Sequence, residues 1–253
     1  MLYVTRPSAP VHFEADHASG RETDALFGEA VEVLRSDAGW SEIILATDGY
    51  QGWIETAALG PAPLADHYVL TPRCLMTISP DIKSPAAGWL PMMAQVKATA
   101  SADGVMAVHA VADGEDKIIG HVPAHHLRPL GHVVADWVAV AESLISTPYR
   151  WGGRDGIGID CSALVQLSLA AGGIRAMRNS GDQEKTLGQT IDHRAGLIRG
   201  DLVFWKGHVG IMTDPDTLLH ANMHHAMTAT EPLTAALTRL EKIDLPATRF
   251  ARV

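Results

Sequence analysis

The sequence predicts a multidomain chain, two small all-β barrels followed by an α+β domain, and three observations carry that prediction. Short alternating strands broken at Asp-Gly turns fill the first half. Two stretches of that half close in a similar way, Gly52-Trp53-Ile54-Glu55-Thr56-Ala57-Ala58-Leu59 and Gly120-His121-Val122-Pro123-Ala124-His125-His126-Leu127. From Val133 the apolar spacing changes to three and four residues, and a lone Cys then follows at the head of an apolar helix. The chain has 253 residues, 47% apolar and 19% charged, an ordinary soluble globular composition with room for two or three domains.

In the first barrel, strands are expected at 30–34, 40–45 and 51–54, separated by Ser36-Asp37-Ala38-Gly39 and by the hairpin turn Thr47-Asp48-Gly49. The second copy repeats the pattern at 96–99, 106–111 and 117–119, with breaks at Asp103-Gly104 and Asp113-Gly114. Two diverged copies of one barrel is the economical reading. Gly60-Pro61-Ala62-Pro63 links them, and the segment from Pro129 to Gly131 marks the second boundary. The expected domains are therefore 1–63, 64–130 and 131–253. Trp40, Trp53 and Trp89 are expected in the barrel cores, Cys74 as core packing, and His121, His125, His126 and His132 as solvated.

Beyond the boundary, Val134, Trp137, Val138, Ala141, Leu144 and Ile145 recur at helical spacing until Thr147-Pro148. Tyr149-Arg150-Trp151-Gly152-Gly153 and Gly158-Ile159-Asp160 then deliver Cys161 to the first turn of a helix that Gly172-Gly173 stops. A thiol at that position faces the positive end of the helix dipole, which favours the thiolate over the ordinary thiol of pKa ~8.5. Downstream, Leu202-Val203-Phe204-Trp205 reads as a strand, His208-Val209-Gly210-Ile211-Met212 as a second, and Leu218-Leu219-His220-Ala221 as a third. His208 at the start of one strand and His220 at the end of its antiparallel neighbour are close enough to share a hydrogen bond, the arrangement of a nucleophile, a base and an orienter. Glu231-Pro232 is expected to open a helix, and 248–253 to add a last strand.

These residues resemble the NlpC/P60 cysteine peptidases. The matching pieces are Pro148-Tyr149-Arg150-Trp151-Gly152-Gly153, Asp160-Cys161-Ser162, Arg199-Gly200-Asp201-Leu202-Val203-Phe204, His208-Val209-Gly210-Ile211 and His220-Ala221. The resemblance implies a papain-like core that cleaves peptide stems of bacterial cell wall, with Cys161 as nucleophile, His208 as general base and His220 as the third polar residue. The two barrels resemble bacterial SH3-type domains. Relatives with two such modules before the peptidase resemble the chain throughout, which implies a first barrel that restricts the cleft to stems already freed from sugar.

On that resemblance the substrate is a small murein peptide starting L-Ala-γ-D-Glu, cut before meso-diaminopimelate or Lys, in cell-wall peptide recycling. Asp160 beside the nucleophile would pair with the L-Ala amine, although Asp160 also suits a helix cap. Glu29 and Tyr50 are candidates to help hold the amine. Ser162, Tyr149 and Trp151 join the substrate-binding set, Tyr149 as a second oxyanion donor beside the N–H of Cys161. Two alternatives stay open: a wall-tethered hydrolase of intact peptidoglycan, and an acyltransferase on the same core.

Other classes are set aside. The net charge of −9 argues against nucleic acid or an anionic membrane as partner. No 18-residue apolar run exists, and residues 1–16 lack the basic start and apolar core of a secretory signal, so a cytoplasmic location is expected. Residues 152–158 are Gly-rich but lack the Lys-Ser/Thr of a phosphate loop, so close backbone approach to a peptide is the expected use. No cofactor is expected. His220, His224 and His225 invite a metal, yet no His-Glu-x-x-His or Cys-x-x-Cys spacing supports one. The sequence leaves the oligomeric state open.

Overall fold

The structure, a computed structural model, describes residues 1–192 and 196–253. It divides into two compact units, Met1–His132 and Val133–Val253.

The first unit holds two antiparallel sheets of seven strands each. One contains Leu2–Val4, Ser8–His12, Arg21–Leu26, Ala30–Asp37, Trp40–Leu45, Gln51–Glu55 and Leu59–Gly60. The other contains His67–Val69, Arg73–Thr77, Ala86–Pro91, Gln95–Ala102, Val105–Ala112, Glu115–Pro123 and Leu127–Pro129. Both run in the spatial order third, second, sixth, fifth, fourth, first, seventh, so the second sheet repeats the first strand for strand. Each sixth strand ends in a one-turn 3₁₀ helix, Thr56–Ala58 or Ala124–His126, at the matching endings read in the sequence. Val11, Val31, Ile43 and Ile54 fill the first core, and Val69, Cys74, Leu90 and Val108 the second.

Three sequence expectations change here. The first three strands of each copy are not evident from periodicity. Arg21–Leu26, for instance, buries the polar Thr23 and Asp24 on its two faces, and Asp24 is held by Arg21 at 2.9 Å. Trp53 and Trp89 are half-buried rather than core, because strand alternation gives the inward positions to Ile54 and Leu90. Trp53 instead lies under the Arg35 guanidinium, 4.8 Å from its ring centre, whereas Trp40 is buried. His126 is not simply solvated: its Nδ1 lies 3.4 Å from the buried Cys74 sulfur, and burial lowers its pKa.

The connection after each third strand differs between the copies. In the first, Phe27 leaves its own barrel and packs in the core of the second, while its carbonyl accepts the N–H of Gln95 at 2.9 Å. Gly28 follows at φ 76°, with the Gln95 carbonyl oxygen 1.9 Å from where a Cβ would sit. The corresponding residue of the second copy, Met93, has φ 65° and a full side chain. Phe27→Ala is expected to lower the unfolding free energy by about 3 kcal/mol in urea titrations, the cost of emptying an aromatic core site.

In the second unit, six strands pair antiparallel in the order Gln189–Thr190, Ala247–Arg252, Leu202–Trp205, His208–Met212, Thr217–Asn222, Met227–Pro232. The helices are Trp137–Glu142, Cys161–Ala171, Ser180–Thr186 and Leu233–Glu241. The first is shorter than its periodicity suggests, because the Asp136 carboxylate caps it by accepting the Ala139 N–H at 3.1 Å and Ser146 turns at φ 70°. The helix expected at Glu231-Pro232 begins at Leu233 with Pro232 as its N-cap, while Glu231 and Pro232 also end the edge strand Met227–Pro232. The glycine-rich loop forms a small hairpin, Arg154–Asp155 with Gly158–Ile159. Its glycines serve internal packing: a Cβ on Gly153 would lie 2.3 Å from the Gly158 carbonyl oxygen.

Candidate active site

Helix Cys161–Ala171 is buried at every residue except Ala170, so its apolar run needs no amphipathic stripe. It packs on strands His208–Met212 and Thr217–Asn222. Its cap is Asp160, whose Oδ1 accepts the Ala163 N–H at 2.8 Å. Cys161 therefore sits in the first helical turn, where the N–H groups of Val209 and Ser162 act to lower the pKa of its thiol. Val209 directly follows His208 at the start of its strand, so the segment that favours a charged sulfur also carries an imidazole.

The imidazoles form a relay. His208 Nε2 lies 2.8 Å from His220 Nδ1, and His220 Nε2 lies 2.8 Å from Glu231 Oε1. Arg239 donates to both Glu231 oxygens, at 2.5 and 2.6 Å. Burial alone would raise the Glu231 carboxyl, but hydrogen bonds from Arg239 and His220 overcome it and hold the group near 2. A carboxylate only accepts, so His220 carries its proton on Nε2 and offers a lone pair at Nδ1. His208 then donates from Nε2, which leaves its Nδ1 unprotonated and able to accept a proton. Glu231 has no role in the sequence reading. Register explains the one it takes: Ala229 faces His220 across the hairpin, and its small side chain lets Glu231, two residues on along the same face, reach the ring diagonally. Glu231→Gln is expected to lower kcat about 10-fold with KM unchanged in steady-state assays, since a neutral amide no longer dictates the tautomer.

Burial dominates the protonation of the free site. It pushes the Cys161 thiol up to about 12, with Asp160 adding to the rise and the Val209 N–H, Arg178 and the Ser162 N–H opposing it. Burial likewise pushes His208 down to about 3, with His220 and Arg239 adding to the fall, and His220 down to about 4 against the pull of Glu231. Burial therefore works against the thiolate that the helix dipole favours. A helix terminus supplies at most about 2 kcal/mol, less than the cost of leaving a buried charge unsolvated. Burial thus acts in one direction throughout the site, raising the thiol and lowering both imidazoles.

Asp160 and Ser162 belong to one buried network with Arg178, which is 2% exposed. Arg178 Nη2 donates to Asp160 Oδ2 at 2.6 Å and Nη1 to Oδ1 at 3.0 Å, while Nη1 also meets Ser162 Oγ at 2.8 Å. The Gly152 N–H and the Ser162 hydroxyl complete the Asp160 shell, at 3.1 Å each. Asp160 is thus a cap and an ion-pair partner first, and a substrate amine would share a carboxylate already held. Tyr149 is half-buried; burial raises its phenol to about 12, with Cys161 and Asp160 adding to the effect. Trp151 is 69% exposed. Glu29 and Tyr50 lie in the unit 1–132. Glu29, 3% exposed, accepts the Leu26 N–H at 2.9 Å, and the Tyr50 hydroxyl donates to Glu22 at 2.9 Å.

A thiol on a buried helix, set against histidines on two adjacent antiparallel strands, defines the papain-like α+β class. Comparison with known proteins narrows the class. Residues 146–239 match the NlpC/P60 family, and residues 11–59 match the bacterial dipeptidyl-peptidase Sh3 domain. The chain thus carries an NlpC/P60 domain behind an SH3-type all-β region. It is 37% identical over 90 residues to dipeptidyl-peptidase 6 of Lysinibacillus sphaericus, covering 34% of this chain and 31% of that one. It is 28% identical over 226 residues to the gamma-D-glutamyl-L-lysine dipeptidyl-peptidase of Bacillus subtilis, covering 79% of this chain and 72% of that one. The fold resembles that of an NlpC/P60 family protein from Bacillus cereus, with a TM-score of 0.82 and 17% identity over 99% of this chain and 98% of that one. Among the described residues, no helix is long and apolar enough to cross a membrane.

Proposed function

We propose that the protein is a cysteine peptidase that cuts the γ-D-glutamyl–diamino acid bond of free murein stem peptides bearing an N-terminal L-Ala, acting in the cytoplasm in the recycling of cell-wall peptides. The observation that carries this reading is the pair His208 and His220, joined at 2.8 Å on the two strands against which the Cys161 helix packs. The named activity of the Bacillus subtilis relative, similar over 79% of the chain, supports the choice of bond.

In this mechanism the Cys161 sulfur adds to the γ-carbonyl carbon of D-Glu while its proton passes to His208 Nδ1. The Cys161 N–H and the Tyr149 hydroxyl stabilise the oxyanion. His208 returns the proton to the departing amine of the diamino acid, leaving a thioester on Cys161. Water, deprotonated by the same imidazole, cleaves the thioester and restores the thiol. His220 and Glu231 keep the ring of His208 turned toward these exchanges throughout.

The test compares L-Ala-γ-D-Glu-meso-diaminopimelate, its Lys counterpart, the same stems with a blocked amine, and sugar-linked stems. Release of L-Ala-D-Glu from the free stems alone is expected. Equal cleavage of the blocked stem overturns the amine preference, and equal cleavage of the sugar-linked stem points to a hydrolase of intact wall. Transfer of a labelled acyl group to an amine rather than to water points to an acyltransferase.

A further inference from the structure

The hairpin that supports the relay also gathers a set of metal-ligand atoms that no spacing in the sequence betrays. A ring nitrogen of His220, a ring nitrogen of His225 and a carboxylate oxygen of Glu231 all lie within 4.8 Å of one another. His220 and Glu231 lie on paired strands, and His225 is brought in by the turn that joins them, residues 223–226. Asn222 Oδ1 accepts from the His225 backbone N–H at 2.9 Å and lies 3.1 Å from His225 Nδ1, so it orients the ring from behind, as supporting groups do for metal-binding histidines. The rings of His220 and His225 meet edge-on, with centroids 6.2 Å apart.

We propose that His220, His225 and Glu231 form an inhibitory site for Zn²⁺, in which the metal takes the place of the proton between His220 Nε2 and Glu231 Oε1. Two imidazoles and a carboxylate with open positions suit Zn²⁺, whose bonds to nitrogen and oxygen are about 2.0–2.2 Å. The atoms already converge, so the ligands need only spread around the ion. Arg239 meets both Glu231 oxygens, Oε1 included, so its Nη2 gives up Oε1 to the metal while Nη1 keeps Oε2, and the nearby guanidinium charge limits the affinity.

The consequence for the relay follows from valence. A neutral imidazole bound to metal through Nε2 carries its proton on Nδ1. His220 Nδ1 then donates to His208 Nε2 instead of accepting from it, and the proton of His208 moves to its own Nδ1. No proton is released overall, since each ring keeps one. The atom that must receive the thiol proton is thereby occupied, and the base is disarmed without any contact between metal and sulfur. This inhibition rests on the proposed reaction, whereas the binding site does not.

The binding test uses the full chain with Cys161→Ala, so that the thiol cannot act as a ligand, titrated with ZnCl₂ by calorimetry. Adding His225→Ala, or His225→Gln as a second version, is expected to remove one equivalent of Zn²⁺ or weaken it at least 10-fold. Unchanged stoichiometry and affinity in both versions overturn the site. Hydrolysis by the chain with Cys161 intact supplies the other arm: His225→Ala is expected to leave the metal-free rate unchanged and raise the half-inhibiting Zn²⁺ concentration at least 10-fold. Equal inhibition of both forms places the metal elsewhere and overturns the inhibitory role. A chain inactive on every stem refutes the proposed function, while the calorimetric titration still decides whether the metal binds.

Discussion

Replacing His208 with Ala is expected to lower kcat/KM by at least about 10⁴-fold, and Cys161→Ala to do the same. The reason lies in the burial of the site. Burial raises the Cys161 thiol and lowers the His208 imidazole, so the proposed attack needs a base to take the thiol proton as the new bond forms. Without the imidazole the sulfur remains a buried thiol, and no carboxylate or second amine replaces the acceptor on that strand. His220→Asn is expected to leave measurable turnover, because an amide oxygen can still accept from His208 Nε2. Initial rates on a free stem peptide check all three variants. Turnover of His208→Ala within 10-fold of the wild type would remove the base from the mechanism, and full activity of Cys161→Ala would remove the nucleophile.

Arg178→Met is expected to cost about 3–5 kcal/mol of unfolding free energy. The guanidinium is 2% exposed and satisfies both oxygens of Asp160, which is itself buried. Truncating the cation leaves a desolvated carboxylate whose remaining donors are the N–H groups of Ala163 and Gly152 and the Ser162 hydroxyl. Those three donors place the expected loss toward the lower end of the range. Adding Asp160→Asn to Arg178→Met is expected to recover part of the stability, since Asn caps helices nearly as well and carries no charge. Urea midpoints of the two variants measure this directly. A loss below about 1 kcal/mol in Arg178→Met would mean that water reaches Asp160 and replaces the ion pair.

Much of this architecture is legible in the residues. The thiol at a helix start and the two histidines on consecutive strands follow from apolar spacing and Gly punctuation, and the repeated barrel endings identify the duplication. Two parts are not legible. Arg178 comes from an irregular stretch, where no periodicity assigns a direction to its side chain. Glu231 stands before a proline at what reads as a helix start; only the pairing of Thr217–Asn222 with Met227–Pro232 brings it beside His220. The burial of Cys161 escapes the sequence for a related reason: a dipole is visible there, whereas depth of burial is a property of the assembled fold. The same limit explains Trp53 and Trp89, whose size suggests a core that strand alternation awards to their neighbours.

The paired positions 28 and 93 show how a duplication can freeze in one copy and drift in the other. Both sit in left-handed backbone, yet at 28 the Gln95 carbonyl occupies the space of any side chain, while Met93 keeps one. A saturation library should therefore return glycine alone at 28, whereas 93 should also accept side chains compatible with left-handed backbone, Asn and Met among them, and reject β-branched ones. The two turns share one geometry, but only the one that clasps its sister leaves no room for a side chain.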